Sequence, residues 1–273
     1  MNRIIKLLPF SIAALLLLAG SAFAYPILGS GTNLIEFKAW ENVTNLAEDN
    51  TIQVGTIFYG VARAQAISNE GTVVWNSDDV GPTYDTLTAY FVYEVVGIDT
   101  ATNTLIFGVS SYDPNGVLSA ADLAAGVVLQ WYADDGTTLD LSSVVDGVST
   151  ATDGTLWASM SITDGYWWSN ASIDPTGLEG FIGTSYFGIN LVDGALTGLV
   201  DVNDPIETLY DLDVSMYGQA KIYTNSDEFP SVWAYVADDP AVIATPEPVS
   251  LILLGAGMLG LACTRGRRMP SAA

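Results

Sequence analysis

Leu87-Thr-Ala-Tyr-Phe-Val-Tyr-Glu-Val-Val96 decides the class of the fold. It is a short run of aromatic and β-branched residues, the composition of a strand. Turn-forming residues from Asp99 to Asn103 end it, and a second run of the same kind, Thr104–Ser110, follows. The arrangement recurs along the chain. Leu34–Trp40, Gln53–Ile67, Thr72–Trp75, Val127–Ala133, Thr155–Ile162 and Ser185–Val192 are further candidate strands, as are Thr208–Tyr217, Gln219–Thr224 and Val232–Val236. Turn signals separate them: Asn69-Glu70-Gly71, Asp113-Pro114-Asn115-Gly116, Asp134-Asp135-Gly136, Asp153-Gly154, Asp164-Gly165 and Asp193-Gly194. Aspartate beside glycine favours tight turns with positive φ. Two stretches read as short helices, Trp40–Leu46 and Ser119–Ala125, the second capped by Ser119 with Asp122 at the third helical position. Many short strands and few helices predict an all-β fold, a single β-sandwich or barrel-like domain.

Of the 273 residues 49% are hydrophobic and 14% charged, which excludes a disordered polar chain. There is no histidine and one cysteine, so Ser-His-Asp and Cys-His catalysis and histidine metal sites are ruled out. The formal net charge of −23 argues against nucleic acid as a partner, because phosphate binding needs a basic patch.

Both ends read as targeting segments. Arg3 and Lys6 precede an apolar run from Leu7 to Gly20, and Ala22-Phe23-Ala24 offers a small-x-small cleavage site. Residues 1–24 are therefore expected to be a signal peptide, cut after Ala24 by signal peptidase. At the other end Pro246-Glu247-Pro248 is a rigid extended stretch. Val249 to Cys263 is almost wholly apolar, and Arg265, Arg267 and Arg268 follow it. Such a helix sits in a membrane with its arginines on the cytoplasmic side. At about 1.5 Å per residue it reaches roughly 22 Å, short of a roughly 30 Å hydrocarbon core, which suits a temporary anchor.

This tail resembles the PEP-CTERM sorting signal of Gram-negative bacteria. The resemblance rests on Pro246, Glu247 and Pro248, the Leu251–Ala262 helix with Gly255, Gly257 and Gly260, and the arginines Arg265, Arg267 and Arg268. It is confined to the end of the chain. Gly266 interrupts the basic cluster, and Met269 to Ala273 trail after it. The resemblance implies recognition by an exosortase, passage through the inner membrane, and release or attachment at the cell surface. It also implies the company of exopolysaccharide and biofilm systems.

The remaining span is expected to be an acidic β-rich ectodomain, 25–237, then an extended stalk, 238–248, and the sorting helix with its basic cluster, 249–268. Five of the eight basic residues lie in the targeting ends and only one of the 31 acids does. Residues 25–244 therefore hold Lys38, Arg63 and Lys221 against 30 carboxylates, a net charge of −27, with no cysteine for a disulfide. Salt or divalent cations should stabilise such a domain.

Three chemistries suggest themselves. The stretch from Ser111 to Asp122 partly follows a calcium loop, with Asp113 and Asn115 at oxygen-ligand positions, Gly116 at the sharp turn, Val117 offering its carbonyl and Asp122 closing the site. Serine stands where the first aspartate is wanted, and the same residues also read as a turn capping a short helix. Calcium is the one cofactor the residues suggest. Tyr166-Trp167-Trp168 follows the Asp164-Gly165 turn, and aromatic faces at such a position can stack on sugar rings. A glycosidase would need two carboxylates flanking a sugar bond, and no motif selects a pair. The expectation is a non-enzymatic surface or matrix protein, structural or binding, within an extracellular polysaccharide layer. A carbohydrate-active hydrolase and a calcium-dependent adhesive module are the alternatives.

Overall fold

The computed structural model describes residues 26, 28–77, 86–134, 138–170, 181–200, 214–224 and 232–245. Both targeting ends, including Ala22, Ala24, Pro246, Glu247, Pro248, Arg265, Arg267 and Arg268, lie outside them, as do residues 208–213 of one candidate strand.

The fold is all-β. Among the described residues ten strands run β1 (Gly31–Thr44), β2 (Ile57–Asn69), β3 (Thr72–Asn76), β4 (Thr86–Asp99), β5 (Thr104–Gly108), β6 (Val127–Asp134), β7 (Thr155–Ser169), β8 (Phe181–Asp193), β9 (Met216–Thr224) and β10 (Tyr235–Thr245). Among the described residues two short helices, α1 (Ala120–Ala124) and α2 (Val144–Ala151), interrupt them. The pairings, all antiparallel, run β1–β2–β4–β6–β7–β8–β9–β10 and return to β1. The sheet thus closes on itself, which removes most of its edges. β3 adds to the end of β2, and β5 bridges the far half of β4 to the end of β7.

The closed ring encloses the main core. Leu87, Ala89, Phe91, Tyr93 and Val95 of β4 point inward, with Phe37, Trp131, Phe187 and Met216 from other strands. Tyr90 and Val92 point outward and join Trp40, Ile57, Val61, Val148 and Trp233 in a second cluster under α2. From Thr86 to Tyr93 β4 is buried on both faces, so this part of its sequence is nearly continuous in apolar and aromatic residues instead of alternating.

Ser119 caps α1 as its sequence indicates: its hydroxyl accepts from the Asp122 amide, and the Asp122 carboxylate accepts from the Ser119 amide. Three expectations are corrected. Trp40–Thr44 continues β1 and is not helical, because Trp40 packs outward and Glu41 inward at strand period. The stalk expected from 238 does not begin there, since the chain stays in the wall to Thr245. Ala241 and Ile243 are fully buried opposite Ile35 and Asn33, and the Thr245 hydroxyl donates to the Gly29 carbonyl at 2.5 Å. At Asp239-Pro240 the β9–β10 ladder skips from Asp238 to Ala241 while the β1 side runs through. Finally, Asp164-Gly165 does not separate two strands, as the site geometry makes clear.

Candidate functional site

β7 changes partners midway. Its first half pairs with β6 as far as Ser161, and its last residues, Trp168 and Ser169, pair with Ile106 and Leu105 of β5. Between these contacts Ser161 faces Asn190 of β8 and Tyr166 faces Gly188, so four residues, Ile162 to Gly165, oppose a single residue of β8. This is a wide bulge inside one strand. Asp164 takes φ 60, tolerable for aspartate. A Cβ on Gly165 would lie 2.2 Å from the Gly188 carbonyl oxygen, so only glycine fits there.

The bulge leaves an open cleft of about 780 Å³ where the wall between β5 and β7 parts. Thr102, Thr104, Ile106 and Gly108 form one side, and Gly165, Tyr166, Trp167 and Trp168 the other. The aromatic triplet splits by alternation. Trp167 turns inward: its ring lies 4.3 Å from Tyr93 and 5.2 Å from Phe187, and its Nε1 donates to Ser185 Oγ at 2.7 Å. Tyr166 and Trp168 project from the opposite face. Trp168 stacks on its cross-strand neighbour Tyr186 at 4.4 Å and 24°, and Tyr166 covers Gly188. Ile106, beside Trp168 in the ladder, is 45% exposed. The result is a half-buried aromatic shelf beside a cleft with threonine hydroxyls on its far lip. Trp168 Nε1 has no acceptor among the described residues. Such a surface can stack the apolar face of a ring while hydrogen-bonding its hydroxyls.

Behind Trp167 lies an enclosed cavity of about 40 Å³, room for a few water molecules. Its lining is apolar apart from Glu41 and Ser185, with several alanines where larger side chains would fill it. Glu41 is 5% exposed, and its Oε2 accepts from the Tyr93 hydroxyl at 3.0 Å. Burial pushes the Glu41 carboxyl up to about 7, the Tyr93 hydrogen bond opposing it. Burial and then the nearby Glu41 hold the Tyr93 hydroxyl well above its usual value. Sequence reasoning missed Glu41, which stands between Trp40 and Asn42 with nothing local to mark it as buried.

The candidate calcium loop folds as a turn running into α1. Asp113 accepts from the Tyr90 hydroxyl, from the Asn115 amide at 2.9 Å and from the Leu118 amide at 2.8 Å. Asp122 accepts from the Ser119 amide and hydroxyl at 2.8 and 2.6 Å. Asn115 also donates to the Tyr90 hydroxyl, and Val117 packs on the outer cluster. Both carboxylates are engaged by protein donors. Among the described residues no group of three or more acidic, cysteine or histidine side chains is placed to hold a metal.

A scan against protein-family models finds no match to this chain, and a search of the curated proteins finds none either.

Proposed function

We propose that this chain is exported by its N-terminal signal, processed at its PEP-CTERM-like tail by an exosortase, and retained at the cell surface or in the extracellular matrix as a glycan-binding protein. The closed β domain is the binding module, and it acts without turnover. The observation that carries the binding reading is the aromatic cleft, with Trp168 and Tyr186 stacked beside it and the threonine lip opposite. The volume of the cleft falls within the range of small-ligand sites. Signal and tail supply the address, and the shelf supplies the reason to stay there. The acidic surface keeps the module soluble and away from anionic membrane.

The test is retention. The exported protein and its Trp168→Ala variant are followed between the polysaccharide layer and the medium of the producing cells. The reading expects the natural protein in the layer and the variant in the medium, both without the apolar tail. Equal retention of both would sink the binding role, and recovery of an intact tail would sink the processing.

A further inference from the structure

Three bases serve the whole span between the targeting ends, and the strand registers bring them into one row. Arg63 on β2 faces Lys38 on β1, Lys38 faces Asp238 on β10, and Asp238 faces Lys221 on β9. None lies on β5 or β7, and none of the described residues lining the cleft is basic. Three carboxylates instead adjoin residues that line it. Asp164 is exposed next to Gly165. Glu94 stands opposite Gly108 in the ladder and accepts from the Ser111 amide at 2.7 Å. Asp99 holds the Thr102 hydroxyl at 2.8 Å and the Ala101 amide at 2.9 Å. These donors are neutral, so they orient the carboxylates without cancelling their charge.

We propose that the cleft selects an amine-bearing glycan, a hexosamine polymer whose units carry free ammonium groups. The proposal rests on the glycan-binding reading above and specifies its ligand. Stacking on Trp168 and Tyr186 recognises the sugar ring but does not distinguish one hexose polymer from another. Charge does. An ammonium over an indole or phenol face is attracted by the ring, and the three adjoining carboxylates reinforce it. A uronic-acid polymer meets like charge beside the cleft and across a domain of net charge −27. An N-acetylated polymer stacks but gains nothing from the carboxylates.

The experiment titrates the exported chain with three hexamers, of glucosamine, N-acetylglucosamine and galacturonic acid, at low and high salt, reading tryptophan fluorescence and calorimetric heat. The glucosamine hexamer should bind about tenfold or more tighter than its N-acetylated form in low salt, and the gap should narrow in high salt. Galacturonate should not bind. Asp164→Asn, tolerated at its left-handed φ, should weaken the glucosamine hexamer about threefold and leave the N-acetylated one unchanged. Trp168→Leu, which keeps an apolar side chain in the wall, should weaken both. Equal binding of the first two hexamers would overturn the charge selection while leaving glycan binding intact. Glucosamine binding that survives Trp168→Leu is adsorption to the acidic surface and overturns the proposal. If no hexamer binds, the glycan reading itself fails.

Discussion

Replacing Glu41 with glutamine tests the barrel interior through its pH dependence. The side chain keeps its shape, and the Tyr93 hydroxyl can still donate to the amide oxygen. What disappears is ionisation. In the natural chain the carboxyl is raised from 4.5 to about 7 by burial. The folded state therefore holds this proton more tightly than the unfolded chain. Below the unfolded value both states are protonated and the site has no pH dependence. As pH rises through the interval between the two values the unfolded chain loses the proton first, and folding stability falls by about 1.4 kcal/mol per pH unit. Above about 7 both states are ionised and the loss levels off at about 3 kcal/mol. That is a large part of the 5–15 kcal/mol or so typical of a domain. The glutamine variant should lack the slope. Its extra amide donors, if unsatisfied, add a constant cost of about 1–3 kcal/mol that does not vary with pH. The slope, not the offset, is the signature. The window is clean because the chain has no histidine to titrate in it. Urea unfolding followed by tryptophan fluorescence at intervals from pH 5 to 8 measures it. A flat natural chain, or equal slopes in both proteins, would refute the placing of Glu41 in an apolar interior.

The capping box of α1 should be worth about 1 kcal/mol, so Ser119→Ala should lower the urea midpoint by a corresponding amount without changing the slope of the transition. Gly165→Ala should destabilise by more, since its Cβ meets the Gly188 carbonyl, and thermal unfolding would show it. With Asp113 and Asp122 engaged by protein donors, calcium and sodium chloride of equal ionic strength should raise the melting midpoint equally; a rise that saturates at low calcium and vanishes in the doubly substituted Asn variant would restore a specific site. Mass spectrometry of the extracellular fraction should find a mature chain beginning at Tyr25 and lacking 249–263.

How far the fold was readable follows from the range of each interaction. β4 announced itself because burial on both faces of its first eight residues leaves that part mostly apolar and aromatic. The cap of α1 was readable because a serine and an aspartate three residues apart settle it locally. The same signature, Ser143 with Asp146, marks α2, whose cap hydroxyl accepts from the Asp146 amide at 3.0 Å. That second match passed unread. Ring closure depends on β1 meeting β10 some two hundred residues later, and no local pattern encodes it. Asp164-Gly165 has the chemistry of a turn and does turn the chain, but tertiary pairing carries the strand on past it. The aromatic triplet was visible as a candidate. Its division into an inward Trp167 and an outward Tyr166 and Trp168 follows from strand period, whereas the cleft beside it arises only where β5 and β6 take successive halves of β7. The Glu41–Tyr93 pair joins residues from two strands and could not be read from either alone.

The most direct test of the account is where sugar touches the protein. Oligosaccharides cut from the extracellular polysaccharide of the producing cells are titrated into the isotope-labelled exported chain, and the indole and aromatic ring signals are followed by NMR. Progressive, saturating shifts are expected at Trp168, Tyr166 and Tyr186, with a smaller response at Trp167 and none at the core indoles of Trp131 and Trp157. Unmoved shelf signals, or shifts confined to another face of the domain, would contradict the glycan-binding reading.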